Sequence, residues 1–243
     1  QAIPGAPGIR PGDAPAGWTT LVDHLAQQGV TDHEMLTAGV ATTARNGRLI
    51  DRFRDRLVLP IVHEGHVLGF VGRRNPEHAD DGKLGPKYLN TADTPLFHKG
   101  DQLYVVGDPT ARRAVLVEGP IDAIAVRLAT RGTRFGAAPL GTSLTQPQAR
   151  QLAELDPLPV IATDADAAGQ AAAERDYWLL AALSVNPLAA DLPIDRDPAD
   201  LLETGRPADL ARALEDAEPL GHRLLEGRIV SGSVDELIGA TRV

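Results

Sequence analysis

The chain has 243 residues, 43% of them hydrophobic and only 4% aromatic, and a formal net charge of −9. No apolar run reaches the roughly 20 residues that a membrane helix needs, so we predict a cytoplasmic protein without membrane association. The absence of cysteine excludes disulfides, cysteine-based zinc sites and thiol nucleophiles. Any metal is expected on oxygen ligands or His, and oxygen ligands favour Mg²⁺ or Mn²⁺ over zinc.

Charge is distributed unevenly along the chain. Residues 45–99 contain 10 Lys or Arg and 7 Asp or Glu, a net charge of +3, whereas the remainder carries a net charge of −12. A basic block beside an acidic one is the asymmetry expected where phosphates meet their metal ions. Composition alone is equally compatible with ordinary variation in surface charge.

The first half of the chain predicts a linker followed by a small mixed domain. Residues 1–17 are rich in Pro, Gly and Ala without an apolar period, which indicates a linker or disordered segment. Because the sequence begins with Gln instead of Met, we expect a piece of a longer protein. Helices are expected near Thr20, as a capping residue, and from about Thr31. Two apolar runs, 57–62 and 67–71, flank a Gly-containing turn and predict a β-hairpin.

In the second half, predicted strands and helices alternate. Strands are expected at 115–119, 134–139, 159–163 and 185–192, and helices at about 120–130, 146–155 and 166–183. Strict alternation predicts right-handed crossovers and a parallel sheet with helices on both faces. In such sheets the chemistry gathers at the carboxyl ends of the strands.

Carboxylates follow three of these predicted strands. They are Glu118 with Asp122 one turn later, Asp164 with Asp166, and Asp195 with Asp197. Clustered carboxylates repel one another unless a cation lies among them, and a hard divalent ion satisfies that need. Any one of them alone is most often a cap or turn residue. The E-G-x-x-D and D-x-D-x-x-G patterns at two strand ends together favour a metal site for phosphodiester chemistry.

Two groups of sequence strings resemble a known family. VEGPIDA, GTSLT, TDADAAGQAA and LPIDRDPADLL resemble the Toprim domain shared by primases, topoisomerases and some nucleases. DRFRDRLVLPIV, VLGFVGRR and GPKYLNTADTPLFHKGDQLY resemble the RNA-polymerase core of bacterial, DnaG-type primases. The resemblance implies an α/β Toprim fold, a Rossmann-like parallel sheet flanked by helices, preceded by a smaller mixed α+β basic subdomain. The expected boundaries are a linker at 1–17, the basic subdomain at 18–107, the Toprim domain at 112–205 and C-terminal helices at 206–243.

The resemblance also implies the site residues. The catalytic residues and principal metal ligands would be Glu118, Asp164 and Asp166. Further acidic groups of the same pocket would be Asp122 and Asp197. The residues implied to contact nucleotide phosphates or the template strand, from a basic wall beside the metal, are Arg73, Lys87, Tyr88 and Lys99. Arg offers a bidentate fork to phosphate and Lys a point charge, so this division suits the chemistry.

The motifs and the resemblance together predict a nucleotidyltransferase. It would be a primase that makes RNA primers on single-stranded DNA from metal-bound nucleoside triphosphates. The resemblance implies a replicative helicase as a further partner, through regions that the sequence does not contain. One departure leaves the number of metals open, because the family usually reads Asp-Pro-Asp where this chain has Asp197-Pro198-Ala199. The alternatives are a metal-dependent Toprim nuclease and a non-catalytic, primase-like single-strand-binding module of a larger replication or mobile-element protein.

Overall fold

The structure, a computed structural model, describes residues 11–81, 85–111, 113–163 and 167–230. The chain divides between Tyr104 and Val105 into two compact units, called here the N-terminal unit and the C-terminal unit. Among the helices of the described ranges, none combines the length and hydropathy that crossing a bilayer requires.

The N-terminal unit contains two short helices and two antiparallel sheets. Its helices are α1 (Thr20–Gln27) and α2 (Asp32–Thr37). Its strands are β1 (Gly12–Ala14), β2 (Ala41–Thr43), β3 (Leu49–Asp51), β4 (Arg56–His63), β5 (His66–Arg74) and β6 (Tyr88–Asn90). The larger sheet has the order β1-β4-β5-β6, and β2 pairs with β3. A short 3₁₀ helix covers Pro76–Asp81.

The predicted hairpin is confirmed as β4 and β5, which pair from Arg56 with Arg74 to His63 with His66, with a shift in register between Ile61 and Val62. Its turn places Glu64 at φ 48° and Gly65 at φ 79°. Two successive residues with positive φ form the tight turn whose twist matches that of the flanking strands. Residues 12–14, within the segment expected to be a linker, instead form β1 and pair with β4. A strand this short carries no apolar period, so only its backbone pairing reveals it.

Helix α1 begins one residue earlier than the predicted cap implies. Thr20 is its first helical residue, the N-cap is Thr19, and neither the Thr19 nor the Thr20 hydroxyl caps the helix. Instead the carboxylate of Asp51, on β3, accepts hydrogen bonds from the backbone N–H groups of Leu21 and Val22, both at 2.9 Å. These N–H groups have no partner within the helix. The cap of α1 therefore comes from a strand about 30 residues away.

The C-terminal unit is an α/β layer structure. Its sheet includes β7 (Leu103–Val106), of which the first two residues precede the boundary at Tyr104. The other strands are β8 (Arg113–Leu116), β9 (Arg134–Pro139), β10 (Val160–Ile161), β11 (Leu188–Ala189) and β12 (Glu218–Pro219). Its helices are α3 (Pro120–Ala129), α4 (Gln146–Leu155), α5 (Ala167–Ala181), α6 (Pro198–Glu203), α7 (Pro207–Glu215) and α8 (Leu220–Val230). The sheet has the order β12-β11-β10-β8-β9-β7.

The predicted α/β fold with a parallel sheet is confirmed. Strand β8 pairs in parallel with β9 on one side and with β10 on the other, and β10 pairs in parallel with β11. Ala114, Val115 and Leu116 of β8 are at most 1% exposed, as expected for a central strand covered on both faces. Strand β12, which the sequence did not predict, adds an antiparallel edge.

Helix α3 packs unusually close to β9 at Gly136. A Cβ atom at this position would lie 2.3 Å from the carbonyl oxygen of Ala123. That distance is far below van der Waals contact, so any side chain would push α3 away from the sheet. Since α3 starts at Pro120, directly after Glu118 and Gly119, this close packing fixes the strand-to-helix turn that carries the first predicted carboxylate.

Candidate functional site

Glu118 lies at the carboxyl end of the central strand, two residues beyond the last strand residue Leu116. Gly119 is the extended N-cap of α3, with φ −140° and ψ 163°, and Pro120 occupies the first helical position. Proline suits this position because its missing N–H would have no partner there. The Glu118 side chain is exposed. A rigid strand and a rigid helix therefore hold an exposed carboxylate at the edge where parallel strands end.

Asp122 and Asp197 are brought near each other by hydrogen bonds to backbone. Asp122, in the first turn of α3, is 8% exposed, and its Oδ1 accepts a hydrogen bond from the N–H of Ala199 at 3.3 Å. Asp197 is the N-cap of α6, and its Oδ1 accepts from the N–H of Asp200 at 2.6 Å. The Asp122 bond thus joins the start of α3 to the start of α6, and the Asp197 bond caps α6 itself. Ala199, where the family pattern has aspartate, contributes its backbone instead of a carboxylate.

The predicted ligands Asp164 and Asp166 lie outside the described residues. The structure describes Thr163, just after β10, and then continues from Ala167 at the start of α5. Within the described ranges, no three His, Asp or Glu side chains lie close enough together to hold a metal ion. The full acidic set therefore stays a prediction, with three of its five members described.

A cavity of about 330 Å³ lies at the carboxyl ends of β8, β9 and β10. Its polar lining comes from the segments that follow these three strands and from α5, namely Glu118, Thr142, Ser143, Thr163, Arg175 and Asp176. The Thr163 hydroxyl donates to the carbonyl oxygen of Gly169 at 3.2 Å. The cavity combines hydroxyl groups, carboxyl groups and one guanidinium around a space within the range of small-molecule sites.

Asp176 of α5 is the buried acid of this cavity. Its side chain is 8% exposed, and no hydrogen bond within the described part of the chain involves its carboxyl group. Burial raises the pKa of Asp176 from 3.8 to about 7; Arg175 opposes the shift and Glu118 adds to it. Asp176 therefore takes up a proton near neutral pH, unlike an ordinary surface aspartate.

Sequence reasoning missed Asp176, although a signal for it exists. The buried residues of α5 recur at helical spacing, as Gly169, Ala173, Asp176 and Leu180. Residues three and four apart lie on one helix face, so an aspartate four residues before a fully buried leucine is placed towards the interior. Alanine dominates α5, however, and the sequence alone does not reveal which face of such a helix is covered.

Three of the residues expected to bind nucleotide or template form one cluster in the N-terminal unit. Strand β6 pairs with β5 so that Tyr88 lies opposite Arg73. The Arg73 guanidinium donates to the Tyr88 hydroxyl at 2.9 Å and lies 5.6 Å from the ring centroid. The Nζ of Lys87 lies 5.8 Å from the same centroid, and Lys87 is exposed. Two cations on one aromatic ring form a compact positive surface suited to phosphate.

Two further arginines hold the backbone of this segment. Arg56, 3% exposed, donates to the carbonyl oxygens of Gly72 at 3.2 Å and Pro86 at 2.9 Å. The Nε of Arg52 donates to the carbonyl oxygen of Asn90 at 2.9 Å. Burial lowers the pKa of both guanidinium groups from their ordinary value. These arginines secure the two ends of the segment that carries Lys87 and Tyr88.

Lys99 lies in a separate turn of the N-terminal unit. The turn is anchored by Phe97, which is fully buried and whose N–H donates to the Thr94 hydroxyl at 3.0 Å. The backbone N–H of Lys99 donates to Asp93 at 3.4 Å, and the lysine side chain is exposed. The structure thus places Lys99 on a separate turn and brings together Arg73 on β5, Tyr88 on β6 and Lys87 immediately before β6.

Known families match both units. Residues 9–108 match the DNA primase catalytic core, N-terminal domain, and residues 115–202 match the Toprim-like family. A DNA primase of Pseudomonas aeruginosa is 36% identical over 225 residues, which are 86% of this chain and 32% of that protein. A DNA primase of Escherichia coli is 34% identical over 224 residues, 86% of this chain and 36% of that protein. The chain spans about a third of the length of these relatives.

Solved structures agree with these matches. A crystal structure of a DNA primase domain from P. aeruginosa aligns with a TM-score of 0.74 and 32% identity, covering 91% of this chain and 70% of that one. The RNA polymerase domain of Mycobacterium tuberculosis primase DnaG aligns with a TM-score of 0.79 and 29% identity, covering 93% and 76%. A DnaG primase catalytic domain bound to ssDNA aligns with a TM-score of 0.70 and 30% identity, covering 91% and 69%. The chain belongs to the family of DnaG-type DNA primase catalytic cores.

Proposed function

We propose that this chain synthesises RNA primers on a single-stranded DNA template from nucleoside triphosphates. The observation that carries the proposal is that one chain matches the primase N-terminal domain over residues 9–108 and the Toprim-like family over 115–202. A Toprim domain by itself is compatible with cleavage as well as synthesis. The primase-type N-terminal unit favours synthesis, and the ssDNA-bound relative supports a single-stranded template.

In this proposal the acids of the C-terminal unit hold a divalent metal. Carboxylate oxygens are ligands that Mg²⁺ and Mn²⁺ accept, and the exposed carboxylate of Glu118 at a strand end fits that use. The residues that would hold the ion are Glu118, Asp164 and Asp166, with Asp122 and Asp197 as further acidic groups. When bound there, the ion neutralises triphosphate charge and acidifies the attacking hydroxyl. In the reaction the primer 3′-oxygen bonds to the α-phosphorus, its proton passes to solvent, and pyrophosphate leaves.

The N-terminal unit would bind the phosphates of nucleotide or template. Lys87 presents an exposed ammonium group, and Arg73 is oriented by its hydrogen bond to Tyr88. Lys99 offers a second exposed ammonium group on its own turn. Preorganised cations stabilise the negative charge that develops during phosphoryl transfer, because they need no rearrangement at the moment of reaction.

We also propose a location in the cell and a further partner. A primase acts where the DNA is replicated, so we place the protein in the cytoplasm of its cell. A replicative helicase would be a partner through regions outside this sequence.

The test is a primer-synthesis assay with the purified chain. It contains single-stranded DNA, Mg²⁺ or Mn²⁺ and labelled nucleoside triphosphates, with the Asp164→Asn/Asp166→Asn double variant in parallel. Metal-dependent oligonucleotides that are lost in the double variant are the expected result. Glu154, exposed on α4, gives the control variant Glu154→Gln, which should retain synthesis.

Two other outcomes would point to the rival functions. Shortened template without new oligonucleotides would overturn synthesis in favour of a Toprim nuclease. Strand binding without either activity, in wild type and double variant alike, would favour a non-catalytic binding module.

A further inference from the structure

We propose that Asp176 binds the ribose of a nucleotide in the cavity beside Glu118, its carboxyl group accepting hydrogen bonds from the 2′- and 3′-hydroxyls. The inference rests on the proposed function, because it takes a nucleoside triphosphate as the ligand of that site. It assigns to Asp176 the choice between ribonucleotides and deoxyribonucleotides.

The state of Asp176 in the structure is the first support. The residue as a whole is 8% exposed, and the polar groups of buried residues are normally hydrogen-bonded. Within the described residues, Asp176 has no such bond, yet it forms part of the cavity wall. A ligand that enters the cavity with hydroxyl groups would offer donors to this carboxyl group.

The other groups of the cavity favour a sugar over a second metal ion. Arg175 lines the same cavity and would repel an additional cation. Thr142 and Ser143, in the segment after β9, line the cavity, and their hydroxyl groups can donate hydrogen bonds to sugar oxygens or accept them from sugar hydroxyls. Two adjacent hydroxyls on a ribose match the two oxygens of one carboxyl group, the arrangement by which acidic residues bind ribose in dinucleotide-binding folds.

The position of the cavity also suits a nucleotide. Its volume of about 330 Å³ is at the lower end of ordinary ligand sites, large enough for part of a nucleotide. Glu118 and Thr163, which follow β8 and β10, both contribute to its wall. Phosphates held at the acidic edge would therefore direct the attached sugar into the adjoining space.

The experiment measures binding of ATP, 2′-deoxyATP and 3′-deoxyATP to the whole chain by calorimetry in Mg²⁺, without template. We expect the wild type to bind ATP about tenfold more tightly than 2′-deoxyATP, the effect of one hydrogen bond to a carboxylate. Asp176→Ala should weaken ATP binding about 100-fold, because both hydrogen bonds are lost, and 2′-deoxyATP binding about tenfold, because only the 3′-hydroxyl bond is lost, so that discrimination disappears. Asp176→Asn preserves the side-chain volume and should fall between these values.

Two results would overturn the inference. Equal weakening of ATP and 2′-deoxyATP in Asp176→Ala would mean that the residue acts on a part common to both nucleotides. Weaker Mn²⁺ binding by Asp176→Ala without nucleotide, measured by electron paramagnetic resonance, would identify the carboxylate as a metal ligand. Glu154→Gln is the control and should bind all three nucleotides as the wild type does.

The proposed function can fail separately from this inference. Because binding is measured without template, ribose discrimination that depends on Asp176 would stand even if no primer were made. Conversely, primer synthesis with unchanged discrimination in Asp176→Ala would leave the function and remove the ribose assignment.

Discussion

Each unit has a charged side chain that is buried and hydrogen-bonded to the backbone and another that is exposed. These charges are positive in the N-terminal unit and negative in the C-terminal unit. In the N-terminal unit Arg56 is buried and donates to carbonyl oxygens, whereas Lys87 is exposed. In the C-terminal unit Asp156 is buried and accepts from the N–H of Ala114 at 2.7 Å, whereas Glu118 is exposed at a strand end. A buried charge needs hydrogen bonds to be tolerated. Burial together with a backbone partner, more than residue type, therefore separates structural charges from exposed ones.

Asp176 fits neither class. It is as buried as Asp156 but has no backbone partner among the described residues. A buried carboxyl group that lines a cavity and has no backbone partner among the described residues is a candidate for contact with a ligand. The contrast between these two aspartates is the basis of the ribose proposal.

The largest effect is expected for Glu118→Gln. If the exposed acid binds the metal, loss of its charge should reduce the rate of primer synthesis by about 100-fold or more. Its exposure predicts that the melting temperature changes little. The measurement is the initial rate of oligonucleotide formation in Mn²⁺, alongside thermal unfolding without metal.

Asp156→Asn is the matched variant at a buried carboxylate that is hydrogen-bonded to the backbone. It weakens the charge-assisted bond to Ala114 and should lower the free energy of unfolding by about 1.5–3 kcal/mol, while the folded fraction keeps its activity. If Glu118→Gln unfolded the protein or Asp156→Asn selectively abolished synthesis, the distinction between the two classes would be wrong.

The second prediction concerns Arg56. Replacement by Met retains much of the volume but leaves the carbonyl oxygens of Gly72 and Pro86 without their donor. We expect a loss of about 3 kcal/mol in unfolding free energy, measured by urea denaturation, and faster hydrogen exchange of the backbone amides of residues 87–90. Arg48→Met is the control, because Arg48 is exposed, and it should change neither quantity. Equal destabilisation by both variants would show that general charge, not burial, is responsible.

Local signals were sufficient to predict much of the fold. Helix α2 was predicted from Thr31, and the structure shows a complete capping box, in which Thr31 and Glu34 bond to each other's backbone N–H. The strand-to-helix pattern around Glu118 likewise lies within a few residues, so its position at the sheet edge could be predicted. In both cases the interacting groups are neighbours in sequence.

Features that depend on distant partners could not be predicted in this way. Asp51 caps α1 only because β3 passes beside that helix. Asp176 is buried only because the face of α5 that carries it is covered by the rest of the unit. The cap on α1 has no local signal, and the helical spacing of Asp176 and Leu180 becomes informative only once the covered face of α5 is known.

The third prediction is a pH dependence that tests the burial of Asp176. Its folded-state pKa, about 7, is raised above the unfolded value of 3.8, so the folded protein holds the proton more tightly. The stability that this group contributes is complete below the unfolded pKa and is lost as pH rises through 7. Asp176→Asn does not ionise and should melt several degrees above the wild type at pH 8.5, each kcal/mol being worth about 2–4 °C.

The difference in melting temperature should shrink as the pH falls towards 5, measured in EDTA so that metal binding does not contribute. Glu154→Gln, the exposed control, should track the wild type at both pH values. A constant difference between Asp176→Asn and the wild type would show that the buried carboxyl does not titrate in this range.

The smallest effect is expected for Lys87→Gln. One exposed ammonium group contributes about one phosphate contact, so single-strand affinity should fall only a few-fold and the slope of log K against log salt should decrease by about 0.7. The measurement is fluorescence anisotropy of a labelled oligonucleotide at several salt concentrations. Arg48→Gln removes the positive charge of another exposed residue, which is not part of the cluster on the Tyr88 ring. If both variants reduced the slope equally, the N-terminal unit would bind DNA through its overall charge. A decrease for Lys87→Gln alone would mean that the cluster on Tyr88 forms a specific contact, because both residues are exposed and only Lys87 lies on that ring.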